Sequence, residues 1–138
     1  MTSIVLYWEI RYSGVPPKQE EGKRMKRLKS DLWNLRDHLE LLTDSIREIE
    51  GEDLPYFYRC FDTMKNNIEI FFHVGCDDTA LLLPLLERDW EASHKKLIGV
   101  QYYDPHEKHP EADPRLCFCF VWTISEIGRF FDSRVGGI

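Results

Sequence analysis

Large apolar residues recur at every third or fourth position between residues 25 and 49. The steps of three and four alternate without a break, and we call these positions the seam: Met25, Leu28, Leu32, Leu35, Leu39, Leu42, Ile46 and Ile49. This heptad spacing is typical of an α-helix that buries a narrow apolar stripe against a partner element. It predicts a helix from about Glu20 to Glu50, roughly 45 Å long at 1.5 Å per residue, with Gly51 as its C-terminal stop.

Four other segments alternate between apolar and more polar positions, as β-strands do. They are residues 3–12, 68–74, 97–103 and 116–122. Period-two alternation predicts strands that bury one face and leave the other accessible.

Residues 54–65 fit either a strand or a helix. The run 56–61 has strand composition, and the pair Asn66-Asn67 suits a hairpin turn into the next strand. Alternatively, Asp53 caps a helix, and its apolar stripe at helical spacing consists of Leu54, Phe57, Tyr58 and Phe61. We favour the strand and keep the helix as the alternative.

Capping residues predict two further helices. Asp77 or Asp78 caps a helix that runs to about Lys96. Thr123 and Glu126 form a capping box for a short last helix.

The predicted order of elements is β-α-β-β-α-β followed by β-α, in a single α+β domain over residues 1–138. The first six elements match the ferredoxin-like arrangement, here with an unusually long first helix. The segment 104–114 contains three prolines and is expected to be an exposed loop. If residues 54–65 are helical, the sheet loses a strand and the class remains α+β.

Charge and composition exclude some functions. A formal net charge of −6 argues against nucleic acid as the main partner, because phosphate binding needs a basic surface. The four cysteines do not form a secreted disulfide framework in a chain of 138 residues, and no segment has the composition of a signal peptide or a membrane span. The sequence therefore predicts a cytoplasmic protein with no membrane contact.

A polar face of the predicted sheet is a candidate ligand face. Its residues are Tyr7, Glu9, Arg11, Arg59, Glu69, His73, Gln101 and Tyr103. Carboxylates close to a histidine and an arginine can shift each other's pKa and carry out acid–base chemistry. The alternative is an ordinary solvated sheet face. The sequence does not decide whether any reaction is catalysed, and it identifies no catalytic residue.

Three residue pairs have spacings that metal sites use. They are His73 with Cys76, His106 with His109, and Cys117 with Cys119. Tetrahedral zinc accepts such ligands, so a zinc-binding domain is an alternative function. None of the pairs is the CxxC of a closed structural site, and we therefore assign no metal ligand and no cofactor.

The length of the first helix predicts a binding surface. A helix of about 45 Å is longer than a typical strand of about 20 Å, so a sheet leaves part of the seam uncovered. The leading hypothesis is therefore a non-enzymatic cytosolic interaction protein, a regulator or inhibitor of another macromolecule such as a basic target, that binds a protein partner or forms a homodimer through the seam. A small enzyme or ligand sensor is the alternative, using Glu9, Arg11, Glu69 and His73.

Overall fold

The chain is helical in the computed structural model, which describes residues 18–133. The elements are α1 (Lys18–Glu50), α2 (Tyr56–His73), α3 (Thr79–Ser93), a 3₁₀ turn (Val100–Tyr102), the one-turn α4 (Pro105–Lys108) and α5 (Pro114–Phe131). Within residues 18–133 there is no β-strand. The long first helix predicted from the seam is confirmed.

Helices α1 and α2 are antiparallel neighbours. Near the middle of α1, the ring of Trp33 meets that of Phe72 edge to face, with 5.1 Å between centroids. Late in α1, Arg47 donates a hydrogen bond to the hydroxyl of Tyr58 at 3.2 Å. From the first contact to the second, the residue numbers rise in α1 and fall in α2. The two helices therefore run in opposite directions.

Helix α3 packs antiparallel on α2 and also reaches α5. The rings of Phe61 and Trp90 lie 6.3 Å apart, and the Lys95 ammonium lies 5.8 Å from the centre of the Tyr56 ring. On its other side, Trp90 stacks on Phe131 at 4.9 Å with 9° between the ring planes. Helix α3 therefore contacts both α2 and α5.

Helix α5 completes an antiparallel four-helix bundle. It meets α1 where the rings of His38 and Trp122 lie 5.3 Å apart, and where the Ser45 hydroxyl lies 3.3 Å from the Cys119 sulfur. These two contacts make α5 antiparallel to α1. The four long helices therefore alternate in direction, as in an up-down-up-down bundle.

The seam forms the centre of the bundle core. Six of its side chains are at most 6% exposed: Leu28, Leu32, Leu35, Leu39, Leu42 and Ile46. They belong to one apolar cluster with residues of the other helices, among them Phe57, Phe61, Met64, Ile68, Leu86, Phe120 and Ile127. Ile49 is half-buried, and the side chain of Met25 lies outside the described residues.

The α+β, ferredoxin-like prediction is wrong. Residues 54–65 and 68–74 join in α2, residues 116–122 lie inside α5, and residues 97–103 form a connection with a 3₁₀ turn. The predicted strand at residues 3–12 lies outside the described residues. The buried residues of α2 follow steps of four and three, which is the helical period: Phe57, Phe61, Met64, Ile68 and Phe71.

Two predicted helix boundaries are confirmed. Gly51 has φ of +69°, which glycine adopts readily, and its N–H donates to the carbonyl of Arg47 at 2.9 Å after the last residue of α1. Asp78 caps α3, because its carboxylate accepts a hydrogen bond from the Ala80 N–H at 3.1 Å.

The predicted capping box in the last helix is wrong. Thr123 lies in the interior of α5, where its hydroxyl donates to the carbonyl of Cys119 at 2.8 Å. The helix begins earlier, at Pro114, and the carboxylate of Asp113 caps it by accepting from the Arg115 N–H at 2.9 Å.

Candidate functional sites

The seam is part of the core and does not form an exposed docking surface. The prediction compared a long helix with short strands, but α1 is covered by helices. Helices α2 and α5 each have 18 residues and are about 27 Å long, and both pack against α1. The apolar stripe is therefore buried by the chain itself over most of its length.

The predicted ligand face does not come together among the described residues. Glu69 forms an ion pair with Arg36 at 2.6 Å, whereas the Tyr103 hydroxyl donates to Glu50. Arg36 and Glu50 are separated by 14 residues of α1, or about 21 Å, so their partners lie at different levels of the bundle. Tyr7, Glu9 and Arg11 lie outside the described residues.

The remaining residues of that predicted face are dispersed. Arg59 and His73 are exposed near opposite ends of α2. Gln101 donates a hydrogen bond to the carbonyl of His94 at 2.8 Å, at the end of α3. We predicted one surface for these residues because we interpreted their alternating segments as neighbouring strands. The segments lie in α2 and in the connection after α3 instead, so their side chains do not share a face.

The residue pairs with metal-site spacing do not form a larger cluster. Among the described side chains, those of residues 26–133, no three or more His, Cys, Asp or Glu are grouped so that they could hold a metal ion. Cys117 is buried in the bundle, and His109 contacts Glu50. The zinc alternative gains no support from this arrangement.

The side chain of Glu50 is the buried centre of a polar cluster at the end of α1. It is 1% exposed and accepts hydrogen bonds from three side chains of the segment between α3 and α5. The Tyr103 hydroxyl and His109 Nε2 reach one carboxylate oxygen, the latter at 2.9 Å, and Lys108 Nζ reaches the other at 2.8 Å. The ammonium of Lys108 also lies 5.8 Å from the centre of the Tyr103 ring.

The electrostatics of this cluster keep Glu50 ionised. Burial alone acts to raise the pKa of Glu50, but the hydrogen bonds from Lys108 and Tyr103 and the charges of Lys108 and His109 outweigh it, so the pKa is lowered from its ordinary value. Burial, followed by the hydrogen bond to Glu50, raises the pKa of Tyr103. The tyrosine therefore stays protonated and serves as a donor.

The cluster attaches the segment between α3 and α5 to the end of α1. The Tyr103 ring packs edge to face on Phe57 and on Phe120, with 5.2 Å between centroids in both cases. Each polar group of the cluster already has a partner within the chain, so the arrangement fits a structural attachment better than a reactive centre.

A second feature is an exposed surface that α1 and α5 share, which we call the outer face. Its apolar centre consists of Leu41 on α1 with Phe118 and Trp122 on α5. Phe118 is 71% exposed and Trp122 is 43% exposed, so both side chains are accessible to solvent. The ring of Trp122 lies against His38 of α1, which joins the two helices at this surface.

Charged residues of opposite sign flank the apolar centre. The α1 side of the outer face carries Asp37, Asp44 and Glu48, which lie with Leu41 at helical steps of three and four. The α5 side carries Arg115 and Arg129, which share the same kind of stripe with Phe118 and Trp122. Four of these charges already form ion pairs within the chain: Asp37 with Arg36, Asp44 with Arg47, Arg115 with Asp113, and Arg129 with Glu126.

Sequence reasoning missed the outer face. It treated residues 116–122 as a strand, and a strand places Phe118 and Trp122 on the same side as Phe120, facing the core. In the helix, Phe120 is buried whereas Phe118 and Trp122 face solvent. The helical spacing of Arg115, Phe118, Trp122 and Arg129 was the signal that could have identified this surface.

The comparisons with known proteins add no functional information. The chain matches no protein-family model, no curated protein and no solved structure. Separately, none of the helices in the described part of the chain is long and apolar enough to cross a lipid bilayer.

Proposed function

We propose that the protein is a non-enzymatic interaction protein that acts by binding another protein chain through the outer face. The observation that supports this proposal is the apolar centre of that face. Leu41, Phe118 and Trp122 are all exposed, and helical steps from the His38–Trp122 contact place them on the surface that α1 and α5 share. Clustered aromatic and aliphatic side chains with a charged rim are typical of protein contact surfaces.

The outer face is carried by two helices that pack on each other. Beneath it, Phe120 and Ile127 of α5 are buried with the seam residues of α1. A surface carried by packed helices loses little conformational entropy on association, which favours affinity.

Regulation or inhibition of another macromolecule is the class of activity that such binding serves. We place this activity in the cytoplasm, because all four cysteines are free thiols.

Position-specific photo-crosslinking tests the proposal. Phe118 is replaced by a photoreactive phenylalanine derivative, and the protein is irradiated both in purified form and in an extract of its source cells. We expect a crosslinked protein adduct in at least one of the two, since the outer face is in contact with a partner chain.

The matched control carries the same photoreactive residue in place of Arg88, which is exposed on α3. We expect adducts from position 118 to exceed those from position 88 several-fold. Equal yields at the two positions, or no adduct at position 118 in either sample, would contradict the proposed function.

A further inference from the structure

We infer that the partner at the outer face is a positively charged segment of another protein, with lysine or arginine side chains along α1 and aliphatic side chains over the apolar centre. The inference rests on the proposed function, because it names the chemistry of the partner at the same surface. It follows from the charge that the ion pairs within the chain leave along α1, and from the exposed rings of α5.

The ion pairs on the α5 side of the outer face leave no net charge. Arg115 lies 3.0 Å from Asp113, which caps α5, and Arg129 lies 3.2 Å from Glu126. Each pair joins one cation to one carboxylate, so the two charges cancel. The α5 side therefore does not select a partner by its net charge.

On α1, a single guanidinium group faces three carboxylates. Arg36 pairs with Glu40 at 2.8 Å and with Glu69 of α2 at 2.6 Å. The same guanidinium also reaches Asp37 of the outer face, at 3.1 Å. One positive and three negative charges leave this group with a net formal charge of −2. Asp37 is therefore only partly neutralised within the chain.

Asp37, Asp44 and Glu48 form a row along α1, which we call the acidic row. Asp44 pairs with Arg47, whereas Glu48 is exposed and forms no ion pair with any described residue. On and beside this side of the surface, five carboxylates thus face two guanidinium groups, which leaves a net formal charge of −3. A surface of this charge attracts a cationic partner and repels an anionic one.

The apolar centre offers aromatic rings to cations beside the acidic row. Phe118 and Trp122 are both exposed, and a lysine or arginine group over such a ring is attracted by its π-electrons. The contact between Ser45 and Cys119 places Phe118 at the same level of the bundle as Asp44. A cation that lies between the two helices at this level is therefore attracted by a ring and by a carboxylate.

A second copy of the chain and an acidic partner fit this surface less well. Each copy has a formal net charge of −6, and like charges brought together at an interface are unfavourable. Leu41 lies within the acidic row, so the complementary segment has aliphatic side chains next to basic ones. An amphipathic helix that docks through its apolar face has this composition.

A designed peptide tests the inference. The probe is a fluorescently labelled peptide of about 14 leucine and lysine residues, arranged so that a helix has leucine on one face and lysine on the other. Fluorescence anisotropy is measured as the protein concentration rises to about 300 µM, and we expect saturable binding with a dissociation constant below about 100 µM. The same peptide with glutamate in place of lysine is the matched control, and we expect it to bind at least about tenfold more weakly.

Three variants of the full chain locate the binding site of the lysine peptide. We expect Glu48→Lys, which reverses a charge of the acidic row, to raise the dissociation constant about fivefold or more. Glu91→Lys makes the same change of net charge on the exposed surface of α3, and we expect it to raise the constant less than about twofold. Phe118→Ser removes an exposed ring and raises the constant about tenfold. Circular dichroism verifies that every variant remains helical.

Several outcomes would overturn the inference. The lysine peptide does not bind up to the highest concentration, or the glutamate peptide binds equally well. Glu48→Lys and Glu91→Lys weaken binding to the same extent, which is an effect of net charge alone. The wild type sediments as a dimer that dissociates in Phe118→Ser, in which case a second copy is the partner.

The results also separate this inference from the proposed function. If crosslinking at position 118 yields a protein adduct while the lysine peptide does not bind, the outer face binds a protein that is not basic, and only the inference fails. If crosslinking at position 118 yields no adduct, the proposed function fails. Specific binding of the lysine peptide that depends on Glu48 and Phe118 supports the inference.

Discussion

At the scale of single residues, Glu50 combines a side chain that is 1% exposed with a position at the end of a helix. It lies in the last turn of α1, where the helix dipole disfavours a negative charge. Its carboxylate is nonetheless buried, because Tyr103, Lys108 and His109 all donate hydrogen bonds to it. Removing any one donor therefore weakens the attachment of the segment between α3 and α5.

We expect Tyr103→Phe to lower the free energy of unfolding by about 1–2 kcal/mol, because a hydrogen bond to a charged group is lost while the ring packing remains. Urea denaturation measures the change. Tyr102→Phe is the matched control, since Tyr102 is exposed and an equal change there is expected to cost little. If the free energy of unfolding falls equally in the two variants, the hydrogen bond from the Tyr103 hydroxyl to Glu50 does not stabilise the protein.

The Glu50 cluster also predicts a dependence of stability on pH. The pKa of Glu50 is lowered on folding from its ordinary value of 4.5. Its ionised form therefore stabilises the protein above about pH 5, and this contribution is lost as the pH falls through the folded-state pKa. We expect Glu50→Gln to be less stable than the wild type by about 1–3 kcal/mol at pH 7, and the difference to shrink on acidification.

Urea midpoints of both proteins at pH 7, 5, 4 and 3 provide the measurement. Asp77 and Asp113 also have lowered pKa values, but they are present in both proteins and cancel in the difference. Parallel curves for wild type and Glu50→Gln would refute the assignment of this acid sensitivity to Glu50.

The sequence alone could not reveal the Glu50 cluster. Tyr103 and His109 were singled out for other reasons, as part of a sheet face and as half of a metal-ligand pair. Their partner lies 53 and 59 residues away in the sequence. No local pattern specifies contacts of that separation, because they depend on how the helices pack.

At the scale of secondary-structure elements, the helices were predictable where the pattern was long. The seam of α1 covers 25 residues, and its helical period is unambiguous over that length. The strands were inferred from windows of about seven residues, in which a helical stripe and a strand can look alike. In α2, helical steps only become clear when Phe57 and Phe71 are considered together.

The N-cap of α3 provides an element-scale prediction. We expect Asp78→Ala to destabilise the protein by about 1 kcal/mol, because the carboxylate that accepts from the Ala80 N–H is lost. Thermal or urea denaturation measures this change.

Asp53→Ala is the control for this prediction, and it also tests a cap that the sequence suggested. Helix α2 begins after Pro55 with no side-chain cap, so we expect Asp53→Ala to change stability by less than about 0.5 kcal/mol. A loss at position 53 as large as that at position 78 would contradict the observed start of α2.

At the scale of the whole molecule, the formal net charge of −6 sets the long-range electrostatics. Other acidic proteins are repelled, whereas a basic partner is attracted. Salt screens both effects, so association with a basic partner weakens as the ionic strength rises.

The attachment at Glu50 has a consequence for the path of the chain between α3 and α5. That connection covers residues 94–113, and fixing Tyr103, Lys108 and His109 at the bundle end divides it into two short spans. Closing a loop costs entropy that grows with its length, so each span closes more readily than the undivided connection. Residues inserted between Leu97 and Gln101 would lengthen only the first span, leaving α5 in register with α1.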